Sequence, residues 1–168
     1  MPDDGALRRG ALPRYKLLND GTVKDLNTGL IWEVKCVGAG CPVLHDVEYG
    51  VCWSADLDGS GGTIWEWLND INAEGGTGYA GHHDWRIPNV RELQSIVDYE
   101  TSGPALNPIF GPISPFATPY WTSTTYLPSP SEAWAVGFFT GSVWDYPKGS
   151  VEIVRAVRGS PAYHFTLP

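Results

Sequence analysis

Basic residues are scarce in this chain, 11 lysines and arginines against 19 aspartates and glutamates in 168 residues. The deficit is steepest between positions 46 and 100, where eleven acids face only Arg86 and Arg91. Such a surface repels nucleic-acid phosphates and sulfated polysaccharides, so neither is expected as a partner. A solvated acidic face with no partner at all accounts for the same numbers. Long apolar runs are also missing, and nothing approaches the roughly 18 residues of a membrane span. The opening "MPDDGALRRGALPRYK" lacks the apolar core of a secretory signal. Either the protein stays in the cytoplasm or the sequence is a mature fragment. No CxxC, HExxH, Walker loop, GxGxxG or G-x-S-x-G occurs, which removes the common redox, metalloprotease, nucleotide and α/β-hydrolase templates. Asp98 and Glu100 imitate a glycosidase pair, but the separation such a pair needs cannot be read from sequence.

Cysteine is limited to Cys36, Cys41 and Cys52. "CVGAGC" is short and glycine-bearing, and Cys36 with Cys41 is expected to close a small disulfide ring. Cys52, in "GVCWS", has apolar neighbours and reads as a buried thiol. What the chain has in abundance is tryptophan (8), tyrosine (8), glycine (20) and proline (14). That mixture describes a loop-rich globular fold pinned by large aromatic anchors rather than disorder. The length suits one domain with one core.

Local patterns give the elements. "DGTVKDLNTGLIWE" (20–33) reads as a hairpin turning at Asn27-Thr28-Gly29. "HDVEYGVCWS" is a short strand ending near Trp53. "ADLDGSGGT" (55–63) is a polar loop whose Asp56-x-Asp58-x-Ser60-Gly61 resembles the first half of a calcium loop, with Trp67 where the closing glutamate belongs. Asp56 and Asp58 are therefore either weak calcium ligands or ordinary turn residues. "TIWEWLNDINAEG" is a helix ending before Gly75 and Gly76, and "SGPALNPIFGPISPFATP" a long proline-punctuated loop. "EAWAVGFF", Thr140-Gly141 and "SVWDY" form a second hairpin, with Trp134, Val136 and Phe138 on the core face. "SVEIVRAVRG" reads as a central strand. Strands, two helices, a long loop and strands again indicate an α+β fold.

"HHDWRIPNVRELQSIVDY" (82–99) raises the question of catalysis most directly. Pro88 disfavours helix at Ile87. Asn89 is placed as an N-cap, and Glu92 three residues on completes a capping box. Val90, Leu93, Ile96 and Val97 then mark an apolar helical face, about ten residues long. Arg86 is expected to pair with Asp84 or with a loop carbonyl. His82 and His83, with no third ligand in reach, are weak evidence for zinc. Asp84, Arg86, Asn89 and Glu92, together with Arg155 and Arg158 of the last strand, are assigned to the scaffold.

"DGTVKDLNTGLIW", "HDWRIPNVRELQSIVDY", "YWTSTTY", "AWAVGFFTGSV" and "VRAVRG", in that order, resemble the Lcl C-terminal domain family over residues 19–160. The resemblance leaves 1–18 as an extension and 161–168 as a tail. It implies a C-type-lectin-like fold, two helices packed on a twisted antiparallel sheet with long ligand-bearing loops. It also implies an extracellular or cell-surface adhesion module of a bacterial exported protein, in some cases trimeric, and no reaction. Where many members carry a cysteine on the first helix and another in the last strand, this chain has Leu68 and Ala156. Basic-surface binding of sulfated glycosaminoglycans, described for an adhesive member, does not suit an acidic chain. "TIWEW" resembles a run in formylglycine-generating enzymes, but it precedes "DWRIPN" instead of following it, and the late cysteines of those enzymes are absent. The variable proteins of diversity-generating retroelements, also C-type-lectin-like, display altered residues on late loops and offer an alternative reading.

The ligand surface is accordingly expected in the late hairpin and its neighbours. Trp144 and Tyr146 share a face, Asp145 points oppositely, and Lys148 follows the Pro147 break. Tyr126, Glu132 and Glu152 are the adjoining candidates. The expected ligand is a neutral or basic glycan or protein. Trp144 as simple core is the competing reading.

Overall fold

Asn27-Thr28-Gly29 turns the chain because Gly29 takes a positive φ of 77° and the Asp25 carboxylate accepts the Asn27 N–H. In the computed structural model, which describes residues 14–54, 62–101 and 103–160, the strands flanking that turn pair antiparallel with Val23 opposite Trp32. With elements numbered in chain order, they are β2 (Thr22–Asp25) and β3 (Ile31–Glu33). β1 (Tyr15–Leu17) adds to one side and β9 (Val157–Arg158) to the other, giving a four-stranded antiparallel sheet. The folded unit thus begins before residue 19, since β1 lies in the segment expected to be an extension.

A second sheet has the order β4 (Gly50–Val51), β8 (Glu152–Ile153), β5 (Tyr120–Thr125), β6 (Glu132–Gly137) and β7 (Ser142–Pro147). Its pairs are antiparallel except β5 with β8, which run parallel at Tyr120 and Ile153. The expected single antiparallel sheet is therefore two sheets. The expected central strand "SVEIVRAVRG" is split, β8 joining one sheet and β9 the other. Residues 152–157 between and within them are all buried.

The two-residue strand period then sorts neighbours into two apolar clusters. Tyr120, Ile153 and Val157 enter one, with Trp32, Leu93, Phe110, Val136 and Phe138. Trp121, Val154 and Ala156 enter the other, with Val51, Ile64, Trp67, Ile71, Trp85, Ala133 and Ala135. Leu68 packs against that second cluster alongside Ala156, so both positions lacking the family cysteines are filled by packing. Val151 immediately precedes β8. It is exposed, its side chain lying over Gly50, where a Cβ would meet it at 2.7 Å.

Both helices begin with capping boxes. In α1 (Ile64–Ala73) Thr63 caps the Glu66 N–H and Glu66 reaches back to Thr63. In α2 (Val90–Gln94) Asn89 and Glu92 do the same at 2.9 Å each. α2 is five residues, not about ten: Ser95 ends it by donating its hydroxyl to the Glu92 carbonyl, and Val97 pairs as a bridge with Leu106. Ile96 and Val97 are buried nonetheless, so the apolar spacing is used by a turn rather than by more helix. Of the two partners expected for Arg86, the loop carbonyl is found and Asp84 is not. Arg86 forms a bidentate pair with Glu92 at 2.7 Å per bond and donates to the Gly159 carbonyl, while Asp84 pairs with Arg158 at 2.8 Å. A carboxylate six residues ahead sits where the extended entry and the helix fold back on each other, whereas Asp84 faces the last strand.

Between the sheets lies a fully buried carboxylate. Glu33 accepts from Lys35 Nζ, His45 Nδ1 and the Ala156 N–H, each at 2.8 Å. Burial pushes its pKa up, but the Lys35 charge and the His45 hydrogen bond hold it below the usual carboxylate range. His45 also reaches Glu74 at 3.0 Å just after α1. Burial disfavours the imidazolium, yet Glu33 and Glu74 outweigh it and raise the His45 pKa. That contribution is complete below the ordinary histidine value and fades as pH rises through the folded one.

Glu92 serves both the α2 cap and Arg86, so Glu92→Ala is expected to cost about 2 kcal/mol, against about 1 kcal/mol for the half-exposed Arg86→Ala. Urea melts of the two variants check the order.

Candidate functional site

The β6–β7 hairpin divides the seven expected ligand residues instead of gathering them. Trp144 stands opposite Ala135 and Tyr146 opposite Ala133, so both share the face of Trp121 and Thr125. Asp145 stands opposite Trp134 on the other face, where Tyr126 meets Trp134 edge-on at 4.9 Å. Glu132, paired with Pro147, belongs to that face too. Trp134 is half-buried, unlike its face-mates Val136 and Phe138, which belong to the first apolar cluster.

On the Trp144 face the chain builds a ledge. Trp144 is 61% exposed, which rejects the reading of it as core. Tyr146 is half-buried, its ring edge-on to Trp121 at 6.4 Å. Lys148 Nζ donates to Thr125 Oγ1 at 2.9 Å and sits 3.9 Å above the Trp53 ring. Trp53 is itself fixed. Its indole N–H donates to the Thr122 carbonyl at 2.8 Å, its backbone N–H to the Lys148 carbonyl, and Trp65 of α1 meets it edge-on at 5.3 Å. Trp65 is 41% exposed. The ledge therefore runs from Trp65 and Trp53 past Lys148 to Tyr146 and Trp144.

Trp53, Trp65 and Thr125 were not among the expected site residues. For Trp65 a signal existed: Ile64, Trp67 and Ile71 are the buried positions of α1, and a residue one step after Ile64 points off that face. Trp53 had none, because its contact with Lys148 spans distant parts of the chain.

Glu152 is buried, on the same sheet face as Val51 opposite it, and forms no ion pair among the described residues. Burial pushes its pKa up to about 7. Cys36 and Cys41 are disulfide-bonded. The Cys52 thiol is reduced and buried, and donates to the Gly149 carbonyl. Asp56 and Asp58 lie outside the described residues. Among the described residues no group of three or more His, Cys, Asp or Glu side chains is placed to hold a metal. His83 is turned to the Asn72 carbonyl at 2.6 Å.

With this geometry in hand, the comparison with known families is decisive over most of the chain: the Lcl C-terminal domain model matches residues 21–158. The chain belongs to the Lcl C-terminal domain family. No curated protein matches it significantly. Among the described residues of this Lcl C-terminal domain, no helix is long and apolar enough to cross a membrane.

The raised Glu152 pKa makes a signed prediction. Folding favours the protonated acid, so its cost to stability is absent below the usual carboxylate range and grows as pH rises through about 7. Glu152→Gln is therefore expected to melt like wild type at acid pH. At pH above that value it should melt about 2–4 °C higher for each kcal/mol relieved. Thermal melts across pH measure it.

Proposed function

We propose that this domain binds a ligand without transforming it, and that the ledge of Trp53, Trp65, Tyr146, Lys148 and Trp144 is the contact surface. The observation that carries the reading is Trp144, a large aromatic left 61% exposed on the sheet face where Lys148 is held over Trp53. Exposing an indole forgoes roughly 1.5–3 kcal/mol of burial, which favours a partner that covers it. Aromatic faces stack on the C–H face of a sugar ring or on a partner's apolar side chain, and Lys148 supplies a donor for a hydroxyl or carbonyl.

The ledge has no nucleophile with an adjacent base, so binding rather than turnover is the chemistry it supports. The ligand is a neutral or basic glycan or protein, because the acidic surroundings repel sulfated chains. Family membership supports an adhesin-like role, a C-type-lectin-like ancestry for the fold, and a place outside the cell, where the Cys36–Cys41 bridge is chemically at home.

A glycan and protein array probed with wild type, Trp144→Ala and Lys148→Met tests this. The expected result is a wild-type ligand whose affinity falls about tenfold or more in Trp144→Ala, with the melting temperature unchanged. Equal binding by all three forms, a wild-type preference for sulfated chains, or turnover of the ligand would each overturn it.

A further inference from the structure

Arg155 is fully buried, yet no carboxylate among the described residues pairs with it. Its Nη1 donates to the Glu33 and Phe110 carbonyls at 2.7 and 2.9 Å. Nε and Nη2 have no acceptor, and neither has the Tyr120 hydroxyl, also fully buried. The guanidinium lies 5.4 Å from the centre of the Tyr120 ring, 5.8 Å from that of Phe110 and 5.9 Å from that of Phe138. Burial pushes the Tyr120 pKa up, while the Arg155 charge and the approach of its side chain to the hydroxyl pull against it.

Charge sharpens the point. The one buried carboxylate in this region, Glu33, is already taken by Lys35 and His45. Arg155 and Lys35 are close enough for the arginine to depress the lysine's pKa. Around Glu33 the interior thus holds more positive groups than negative ones. An uncompensated buried ion costs several kcal/mol. Ring faces around a cation return only part of that cost, and they accept hydrogen bonds poorly. The two guanidinium nitrogens can only donate, and the Tyr120 hydroxyl can donate as well.

We propose that Arg155 Nε and Nη2 and the Tyr120 hydroxyl together bind a small monovalent anion of halide size inside the domain. The anion accepts the orphaned hydrogen bonds and neutralises the guanidinium. It is a structural ligand, remote from the Trp144 ledge and independent of what the ledge binds.

Two measurements test it on the intact chain. Melting temperatures are compared in chloride, bromide and gluconate at matched ionic strength, for wild type and for Tyr120→Phe, which keeps the ring and removes one donor. The expected result is a saturable rise with either halide over gluconate, reduced in Tyr120→Phe. Crystals soaked in bromide are expected to show anomalous density within hydrogen-bond distance of Arg155 and Tyr120, a readout that needs no variant. Equal melting in all three salts, an unchanged halide response in Tyr120→Phe, or a bromide-free site holding only water would overturn the proposal.

Discussion

The carboxylate of Glu33 is the contact on which the arrangement of both sheets depends. It sits at the end of β3 with no exposure to water, and its three donors come from the same strand's continuation, from the 43–45 turn and from the chain between β8 and β9. The same segments also meet through the β3–β9 pairing and the Cys36–Asp46 bridge, and the Glu33 carboxylate joins all three at one point. Removing a charge from water is costly, so the site is stable only when every donor is in place, and that requirement couples the segments. Lys35 extends the coupling by donating to the Leu44 carbonyl and lying over Trp67 of α1. His45 extends it through Glu74 and the ring of Tyr79, whose hydroxyl in turn donates to the Gly21 carbonyl. Gly111 belongs to the same junction, since a Cβ there would meet the Lys35 carbonyl at 2.0 Å.

The ledge inherits its rigidity from this interior. α1 is held at its far end by the Glu74–His45 contact and at its start by the Thr63 capping box, which together set where Trp65 emerges. β8 and β9 are tied at Ala156, and β8 in turn aligns β5 and the β6–β7 hairpin that carries Tyr146 and Trp144. Binding residues on loops and strand ends are effective when such a scaffold fixes them before the ligand arrives.

Local features were legible in the sequence because they are written within a few residues. The Asn27-Thr28-Gly29 turn, both helix starts and the Cys36–Cys41 spacing each depend on neighbours in the chain. The family, too, was readable from ordered motifs. Arg86 shows where that legibility ends: the sequence offered Asp84 or a loop carbonyl, and the fold supplied the Gly159 carbonyl together with Glu92, because the chain reverses at Pro88. The division of "SVEIVRAVRG" between two sheets was hidden for the same reason, as alternation alone cannot say which partner strand each half will meet. The Trp53–Lys148 contact and the Glu33 cluster join residues far apart in the chain, and single-residue patterns carry no trace of them.

The role of Glu33 is tested most directly by the stability of Glu33→Gln, alone and combined with Lys35→Met, in denaturant melts. The single substitution leaves Lys35 buried without its counter-charge and is predicted to cost about 3–5 kcal/mol. The double substitution should recover part of that loss, because it removes the stranded charge as well. A Glu33→Gln protein within about 1 kcal/mol of wild type, or a double variant less stable than Glu33→Gln alone, would contradict the account.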